Sequence, residues 1–415
     1  MRLIFERLSR VKVLNKSYML KNLLLMKFDR KDKINAMLFL YTSLYKNIVR
    51  RIFFLFDPEL VHNFVTAQGE LLGKSQTLRN FLGKLFSYKS PTIKQRVTGI
   101  NFESPIGLAA GFDYEAKVVK ILPALGFGFN TVGTITNLPY GGNPRPMLGR
   151  LPKSKSLMVN KGFKNPGAKK TAEKLSKLNF KIPLGISIGM TNPGKTLSKA
   201  KSASGGQKTA IEDILSAFKI FESSNIKNSY YELNISCPNL MTKVSFYPPK
   251  NLDELLTAID KLNLSKPAFV KMPINETDEA TLKMLEVITQ HRIAGVIFGN
   301  LQKDRNDPAI LKEEIKWKVG NFSGKPTEKR SNELIALAYK HYKGKLIIIG
   351  CGGIFSAEDA YRKIKLGATL VQLITGLIYE GPLLVTKINN DLPKLLKQDG
   401  FKNISDAIGI ESLFN

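Results

Sequence analysis

Cys237 stands in the stretch Tyr230-Tyr231-Glu232-Leu233-Asn234-Ile235-Ser236-Cys237-Pro238-Asn239, three residues after one asparagine and two before another. A thiolate is a base and a nucleophile, and carboxamides bind polar atoms without competing for a proton, so this set suits proton abstraction or attack on a small polar substrate. A lone cysteine at a strand end also fits an inert buried thiol; the two asparagines and Pro238 favour chemistry. Lys271 closes another apolar run, and a lysine in such a place needs a partner. Either it forms an ion pair in the fold, or it faces an electron-rich ring that becomes anionic on reduction. Gly350-Cys351-Gly352-Gly353 and Thr375-Gly376 end two later runs. Backbone N–H groups of such glycine-rich turns cradle phosphate, which points to a phosphorylated cofactor.

These groups need a scaffold that brings strand ends together. Apolar or β-branched runs recur at Pro105–Ala110, Gly128–Thr134, Pro183–Ile188, Tyr230–Ile235, Ala268–Met272, Gly295–Phe298, Lys345–Gly350 and Thr369–Ile374. Between them, Glu115–Leu125, Ala210–Glu222, Leu252–Leu262 and Ala357–Leu366 show helical periodicity. Eight strands alternating with helices predict an α/β fold, a (β/α)8 TIM barrel; an open doubly wound sheet would usually break the alternation or stop nearer six strands. In a barrel the C-terminal strand ends share one mouth. It would collect Ala110 and Gly111, Thr134, Ser187, Asn234 to Asn239, Lys271, Gly299 and Asn300, Gly353, and Ile374 with Thr375. Leu197–Lys208 reads as a small polar insert, and residues 301–330 as a long connection at the same face.

The chain of 415 residues holds one large domain plus an accessory piece, with 43% hydrophobic residues as in globular proteins. Two cysteines make no disulfide framework, and three separated histidines (His62, His291, His341) make no metal site. The net charge of +29 favours anionic partners, or simply a solvated basic surface, since the lysines are spread along the chain. Residues 1–36 form a basic extension without the pattern of a secretory signal. They read as an organellar presequence or as residues upstream of a true start at Met37. Residues 37–88 read as an amphipathic helical domain. Asp57-Pro58-Glu59 starts a helix there, with Asp57 as N-cap and Pro58 at the first position. No apolar run reaches the roughly 20 residues that span a bilayer. Two short helices rich in Phe, Leu and Arg suit a membrane interface, or a hairpin packed on the domain that follows.

The motifs together resemble the dihydroorotate dehydrogenases. Gly107-Leu108-Ala109-Ala110-Gly111-Phe112-Asp113 is similar to the family's first-strand motif. Val132-Gly133-Thr134-Ile135-Thr136, Gly142-Asn143-Pro144-Arg145-Pro146, Asn234-x-Ser236-Cys237-Pro238-Asn239, Ser323-Gly324-Lys325-Pro326, Gly350-x-Gly352-Gly353-Ile354 and Gly381-Pro382 follow in its order. Residues 38–73, with Asp57-Pro58-Glu59 and His62, resemble the helical pair of the quinone-dependent, membrane-associated class. The chain departs from that class in several places. Cys237 replaces its serine base, as in the soluble class. Tyr114 replaces a lysine, Val159 a substrate asparagine, Ser187 a flavin-contacting asparagine and Gly299 a threonine.

The resemblance implies an FMN-binding barrel over 89–411 that oxidises (S)-dihydroorotate to orotate in pyrimidine synthesis and passes electrons to a membrane quinone. Cys237 would remove the C5 proton. Asn234, Asn239 and Asn300, with Asn160, Gly162 and Phe163, would hold substrate. Ala110, Gly111, Thr134, Ser187, Asn234, Lys271, Gly299, Gly324, Gly353, Ile374 and Thr375 would hold FMN, and His62 would line the quinone site. The expected location is peripheral, on the cytoplasmic side of the cell membrane or on an organelle's inner membrane, with no nucleic-acid partner. Three rivals remain at this point. One is a soluble-type enzyme of the same family using fumarate or NAD, which Cys237 would suit. Another is an FMN-dependent tRNA-dihydrouridine synthase, which the charge would suit. The third, from a different class, is a non-catalytic basic membrane-binding protein on a decayed barrel.

Overall fold

The computed structural model describes residues 38–192, 206–242 and 244–413. The chain divides into two units, residues 1–44 and 45–415. The described part of the first, residues 38–44, is helical. In the second, helices Arg50–Leu55, Pro58–Lys74 and Gln76–Phe86 precede the strands. The Asp57 carboxylate accepts from the backbone N–H of Glu59 and Leu60 at 2.9 and 3.0 Å, as an N-cap should. Ser75 does the same for the next helix, accepting from Leu78 N at 3.2 Å. Arg50–Leu55 and Pro58–Lys74 fall within residues 37–73, where two helices were expected, and Gln76–Phe86 follows them.

The strands are β1 (Gln95–Val97), β2 (Ile100–Phe102), β3 (Ile106–Leu108), β4 (Phe129–Ile135), β5 (Leu148–Leu151), β6 (Ser156–Val159), β7 (Leu184–Ile188), β8 (Tyr230–Asn234), β9 (Ala268–Met272), β10 (Gly295–Phe298), β11 (Asn321–Gly324), β12 (Ile347–Cys351) and β13 (Leu370–Leu373). β3, β4, β7, β8, β9, β10, β12 and β13 close into a barrel in which every neighbouring pair is parallel. All eight predicted strands are present. Their near-continuous apolar character follows from burial on both faces, against helices outside and side chains within.

The barrel interior is layered. Phe129, Tyr230, Phe269, Ile297, Ile349 and Leu370 pack together at the N-terminal end, capped by Val97 and Phe102 of the β1–β2 hairpin. Two residues further along five of those strands stand Thr131, Glu232, Lys271, Cys351 and Gln372. Because strand side chains alternate, these face the same interior as the apolar layer, one level nearer the mouth.

The structure corrects two expectations. Residues 115–125 are turns, with only a 3-10 turn at Leu122–Leu125. The Asp113 carboxylate takes the backbone N–H of Lys117 and Val118 at 2.7 and 3.0 Å, and Ala116 has φ 53°. A left-handed residue and captured amides stop a helix despite the apolar spacing, and Pro123 would break it further on. In the connection 301–330, β11 instead pairs antiparallel with β6, which pairs with β5, making a small sheet. The predicted insert Leu197–Lys208 lies outside the described residues up to 205. Its last three residues begin the helix Gly206–Glu222.

Candidate active site

A cleft at the C-terminal mouth of the barrel holds a cavity of about 110 Å³ that opens to solvent. Ala110, Lys271, Gly299, Gly324, Gly353, Ile374 and Thr375 line it, seven of the predicted cofactor residues, and Asn300 lines it with them. Two of its glycines are dictated by space. Gly299 has φ 143°, and a Cβ there would lie 2.1 Å from the Cys351 carbonyl oxygen. Gly324 has φ 81°, and its Cβ would meet the Lys155 carbonyl oxygen at 2.4 Å. A side chain at 299 has no room on this backbone. Lys271 is only 5% exposed and brings its positive charge into the wall of the cleft.

The remaining predicted cofactor residues form a chain of contacts across the strand ends. Gly111 N donates to Gly133 O at 2.6 Å. The Thr134 and Ser187 hydroxyls are 2.9 Å apart, and Asn234 Nδ2 donates to Thr134 Oγ1 at 2.8 Å. Ser187 therefore keeps a polar contact at the position where the family has an asparagine.

Cys237 follows β8 and lines a second pocket together with Asn234, Pro238, Met190 and Tyr247. The residue is partly exposed, while its thiol is packed deeply enough to be desolvated. Desolvation pushes the thiol up to about 12, against the pull of the Asn239 backbone N–H and the charges of Lys271 and Lys303. At neutral pH the group is therefore a thiol, and it must lose that proton before it can take another.

The asparagines hold one another. Asn234 Oδ1 accepts from Ser236 N at 3.3 Å and Ser236 Oγ at 3.2 Å, and Asn300 Nδ2 donates to the same hydroxyl. Asn239 donates to Val159 O at 2.9 Å and accepts from Asn321 Nδ2 at 2.7 Å. Asn143 Nδ2 bridges Asn160 Oδ1 at 3.0 Å and Asn239 O at 2.9 Å. Asn192 Nδ2 donates to Gly162 O at 3.0 Å, and the Phe163 ring lies against Gly189 at the end of β7. Such a mutually satisfied network presents fixed carboxamides to a ligand. Asn160 also donates to the carbonyls of Pro144 and Pro146 at 3.3 and 3.4 Å, so it braces the loop. Ser236, Asn143, Asn192 and Asn321 were not singled out by sequence. Ser236 lies inside the Cys237 motif and Asn143 inside Gly142-Asn143-Pro144-Arg145-Pro146, without a role given to either, whereas Asn192 and Asn321 look like ordinary loop asparagines.

The helix Pro58–Lys74 meets the mouth through His62. Its ring stacks on Tyr114 with centroids 5.6 Å apart and meets Phe112 edge-on at 5.1 Å. Burial, followed by the charges of Lys161, Lys117 and Lys164, lowers His62 to about 3, so the imidazole is neutral. On the same helix Glu59, 4% exposed, pairs with Lys164 at 2.7 Å and Arg145 at 3.6 Å. Lys161 lies over the Tyr114 ring, 4.4 Å from its centroid. Among the described residues no group of three or more His, Cys, Asp or Glu could hold a metal ion.

The family profile described as Dihydroorotate dehydrogenase matches residues 92–396. The chain is 35% identical over 371 residues to Dihydroorotate dehydrogenase (quinone) of Trichodesmium erythraeum, covering 85% of this chain and 94% of that one. It is 36% identical to the Christiangramia forsetii protein of the same name, covering 84% and 98%. Among solved structures it is similar to DHODH from Eimeria tenella in complex with ferulenol, with a TM-score of 0.70 and 28% identity over 86% of this chain and 96% of that one.

Proposed function

The chain belongs to the dihydroorotate dehydrogenase family, and from that premise we propose that it oxidises (S)-dihydroorotate to orotate with a quinone as electron acceptor, in pyrimidine biosynthesis. The observation that carries the chemistry is Cys237, set in the chain between Asn234 and Asn239, with its thiol in the field of Lys271, which lines the glycine-walled cleft. The lining of the cleft supports FMN as its occupant: Gly299 and Gly324 pack so closely on the Cys351 and Lys155 carbonyls that neither position has room for a side chain, and Gly353, Thr375 and Ser323 offer polar groups suited to phosphate. When bound, FMN supplies the hydride acceptor.

The chain's own residues do the rest. Cys237 accepts the C5 proton of the substrate, with Lys271 and Lys303 favouring the thiolate electrostatically. Asn234, Asn239 and Asn300 orient the polar edges of the ring through amides already fixed by Thr134, Asn321 and Ser236. The aromatic pair His62 and Tyr114 lines the approach from the helices toward the mouth and offers an apolar, uncharged face for a quinone ring.

Among the described residues no helix is long and apolar enough to cross a membrane. Ile52, Leu55, Phe56, Leu60, Phe64 and Phe81 are exposed on the leading helices, with Arg51, Lys74 and Lys84 exposed among them. An apolar face edged by cations supports peripheral attachment to an anionic membrane. The test is anaerobic: dihydroorotate should bleach the flavin absorbance of detergent-purified protein, and a quinone should restore it. Restoration by fumarate or NAD and not by quinone would overturn the acceptor. No bleaching would overturn the substrate.

A further inference from the structure

Tyr114 stands where the family pattern has a lysine, so the loop that leaves β3 carries no charge at that position. The next lysine on the loop, Lys117, pairs with Glu115 at 2.6 Å. An ammonium nonetheless reaches Tyr114 from another element. Lys161, in the segment that follows β6, places Nζ 3.3 Å from the Tyr114 hydroxyl and 4.4 Å from the centroid of its ring. The hydroxyl and the ring face direct this charge without neutralising it.

The segment that carries Lys161 is tied into the asparagine network. Val159 O accepts from Asn239 Nδ2 at 2.9 Å, Lys161 O from Asn143 N at 3.3 Å, and Gly162 O from Asn192 Nδ2 at 3.0 Å. Tyr114 is anchored from the barrel: the Asp113 carbonyl just before it accepts from Gly133 N at 3.2 Å, beside the Thr134 that holds Asn234. The backbone on both sides of the ammonium is thus built into the amides assigned to the substrate ring.

Dihydroorotate and orotate carry one carboxylate beside neutral ring amides. Carboxamides match the ring, but a carboxylate taken out of water needs a cation. Other lysines at this face have other partners. Lys164 pairs with Glu59 at 2.7 Å, Lys271 lines the cleft read as the cofactor site, and Lys303 lies over the Tyr247 ring, 5.6 Å from its centroid. An ammonium donates three hydrogen bonds; one goes to Tyr114, and the others can pass from water to a carboxylate.

We propose that Lys161 binds the substrate carboxylate, supplying from the β6 segment the charge that Tyr114 removes from the β3 loop. Lys161 thereby sets the preference for an anionic over a neutral pyrimidine. The inference rests on the reading of the protein as a dihydroorotate dehydrogenase with FMN in its cleft.

The test is a titration followed by the absorbance of bound flavin, on full-length FMN-loaded protein at pH 6, where Lys161, lowered to about 7, is charged. The probes are orotate and its carboxamide, which differ in charge and little in shape. The native protein should prefer orotate by at least about tenfold. Lys161→Met should weaken orotate binding about 10–100-fold, the worth of a charge-assisted hydrogen bond, and carboxamide binding by less than about threefold. The exchange Tyr114→Lys/Lys161→Tyr returns the ammonium to the β3 loop and should bind orotate within about threefold of the native protein, a rescue that a merely structural lysine does not allow. Unchanged orotate binding in Lys161→Met overturns the proposal, and so does an equal loss of both probes, which means a packing role. If Lys161→Met does not hold flavin, the exchange variant decides: flavin bound without orotate affinity overturns the proposal. A native protein that binds orotate no better than the carboxamide overturns this inference alone. One that binds neither sinks the dihydroorotate reading, and this inference with it.

Discussion

The Lys161 ammonium lies 3.3 Å from the Tyr114 hydroxyl, in a site where it is 9% exposed. Desolvation lowers it to about 7, with Glu59 opposing and Lys164 reinforcing the shift. The folded pKa is below the unfolded value, so the unfolded chain binds more protons between about pH 7 and 10.5. The cost of burying this charge is therefore fully present below pH 7 and is relieved as pH rises through that window. Lys161→Met should be more stable than the native protein by about 1–3 kcal/mol at pH 6, with the difference shrinking toward pH 10. Denaturant melts at a series of pH values check this; a constant difference would refute it. A carboxylate ligand that reaches Lys161 would raise its pKa again. Calorimetry of orotate binding at pH 8 should then show proton uptake in the native protein and none in Lys161→Met.

Cys237 carries the proton-transfer prediction. A positioned base is typically worth 10²–10⁴ in rate. Cys237→Ala should slow flavin reduction by dihydroorotate by at least about a hundredfold in stopped-flow measurements, with flavin content unchanged. Because the thiol is raised to about 12, the native rate should climb with pH up to the limit of stability. A plateau near pH 7 would mean that another group is the base.

Gly324→Ala tests the cofactor cradle. The left-handed φ of 81° costs a non-glycine residue roughly 1 kcal/mol. Its new methyl would also meet the Lys155 carbonyl oxygen at 2.4 Å and Thr375 Cγ2 at 2.8 Å. Flavin content after purification should fall severalfold while far-ultraviolet circular dichroism keeps its barrel signature. Full flavin occupancy would show that the backbone at 324 is not part of the cradle.

How much of this was readable from sequence depends on how local the cause is. The eight barrel strands were legible because burial on both faces demands long apolar runs, and the Asp57 cap because its partners are two and three residues away. The β5–β6–β11 sheet was not, since β11 joins β6 across more than 160 residues and a four-residue strand carries no period of its own. The turns at 115–125 failed for a different reason: their apolar spacing imitates a helix, and only the reach of the Asp113 side chain reveals otherwise. Within the site, Cys237 and Lys271 stand out because each is a reactive group in an apolar context. Asn143 and Asn192 gain their meaning only from the loops that bring them beside Asn239 and Gly162.

His62 separates the two halves of the reaction. It touches Phe112 and Tyr114, not the asparagine cluster, and it stays neutral because it is lowered to about 3. His62→Ala should raise the apparent KM for quinone severalfold and leave flavin reduction by dihydroorotate unchanged. The native quinone KM should show no step near pH 6.5 from this residue. Equal damage to both half-reactions would place His62 in the substrate site instead.

Leu55 and Phe64, 83% and 54% exposed, are the strongest test of the membrane face. Burying a Leu or Phe side chain in an apolar phase contributes about 1.5–3 kcal/mol, so losing two should weaken attachment at least tenfold even if each is only half inserted. Replacing them by glutamate adds repulsion from anionic headgroups, which high salt screens while leaving the apolar loss in place. The double variant Leu55→Glu/Phe64→Glu should therefore fail to co-sediment with anionic vesicles at both low and high salt. Its flavin should still be bleached by dihydroorotate at the native rate, because neither side chain lines the cleft or the Cys237 pocket. Turnover with a long-chain quinone delivered in vesicles should collapse, while a short water-soluble quinone should still be reduced. Native vesicle binding in the double variant would move the membrane face elsewhere on the protein.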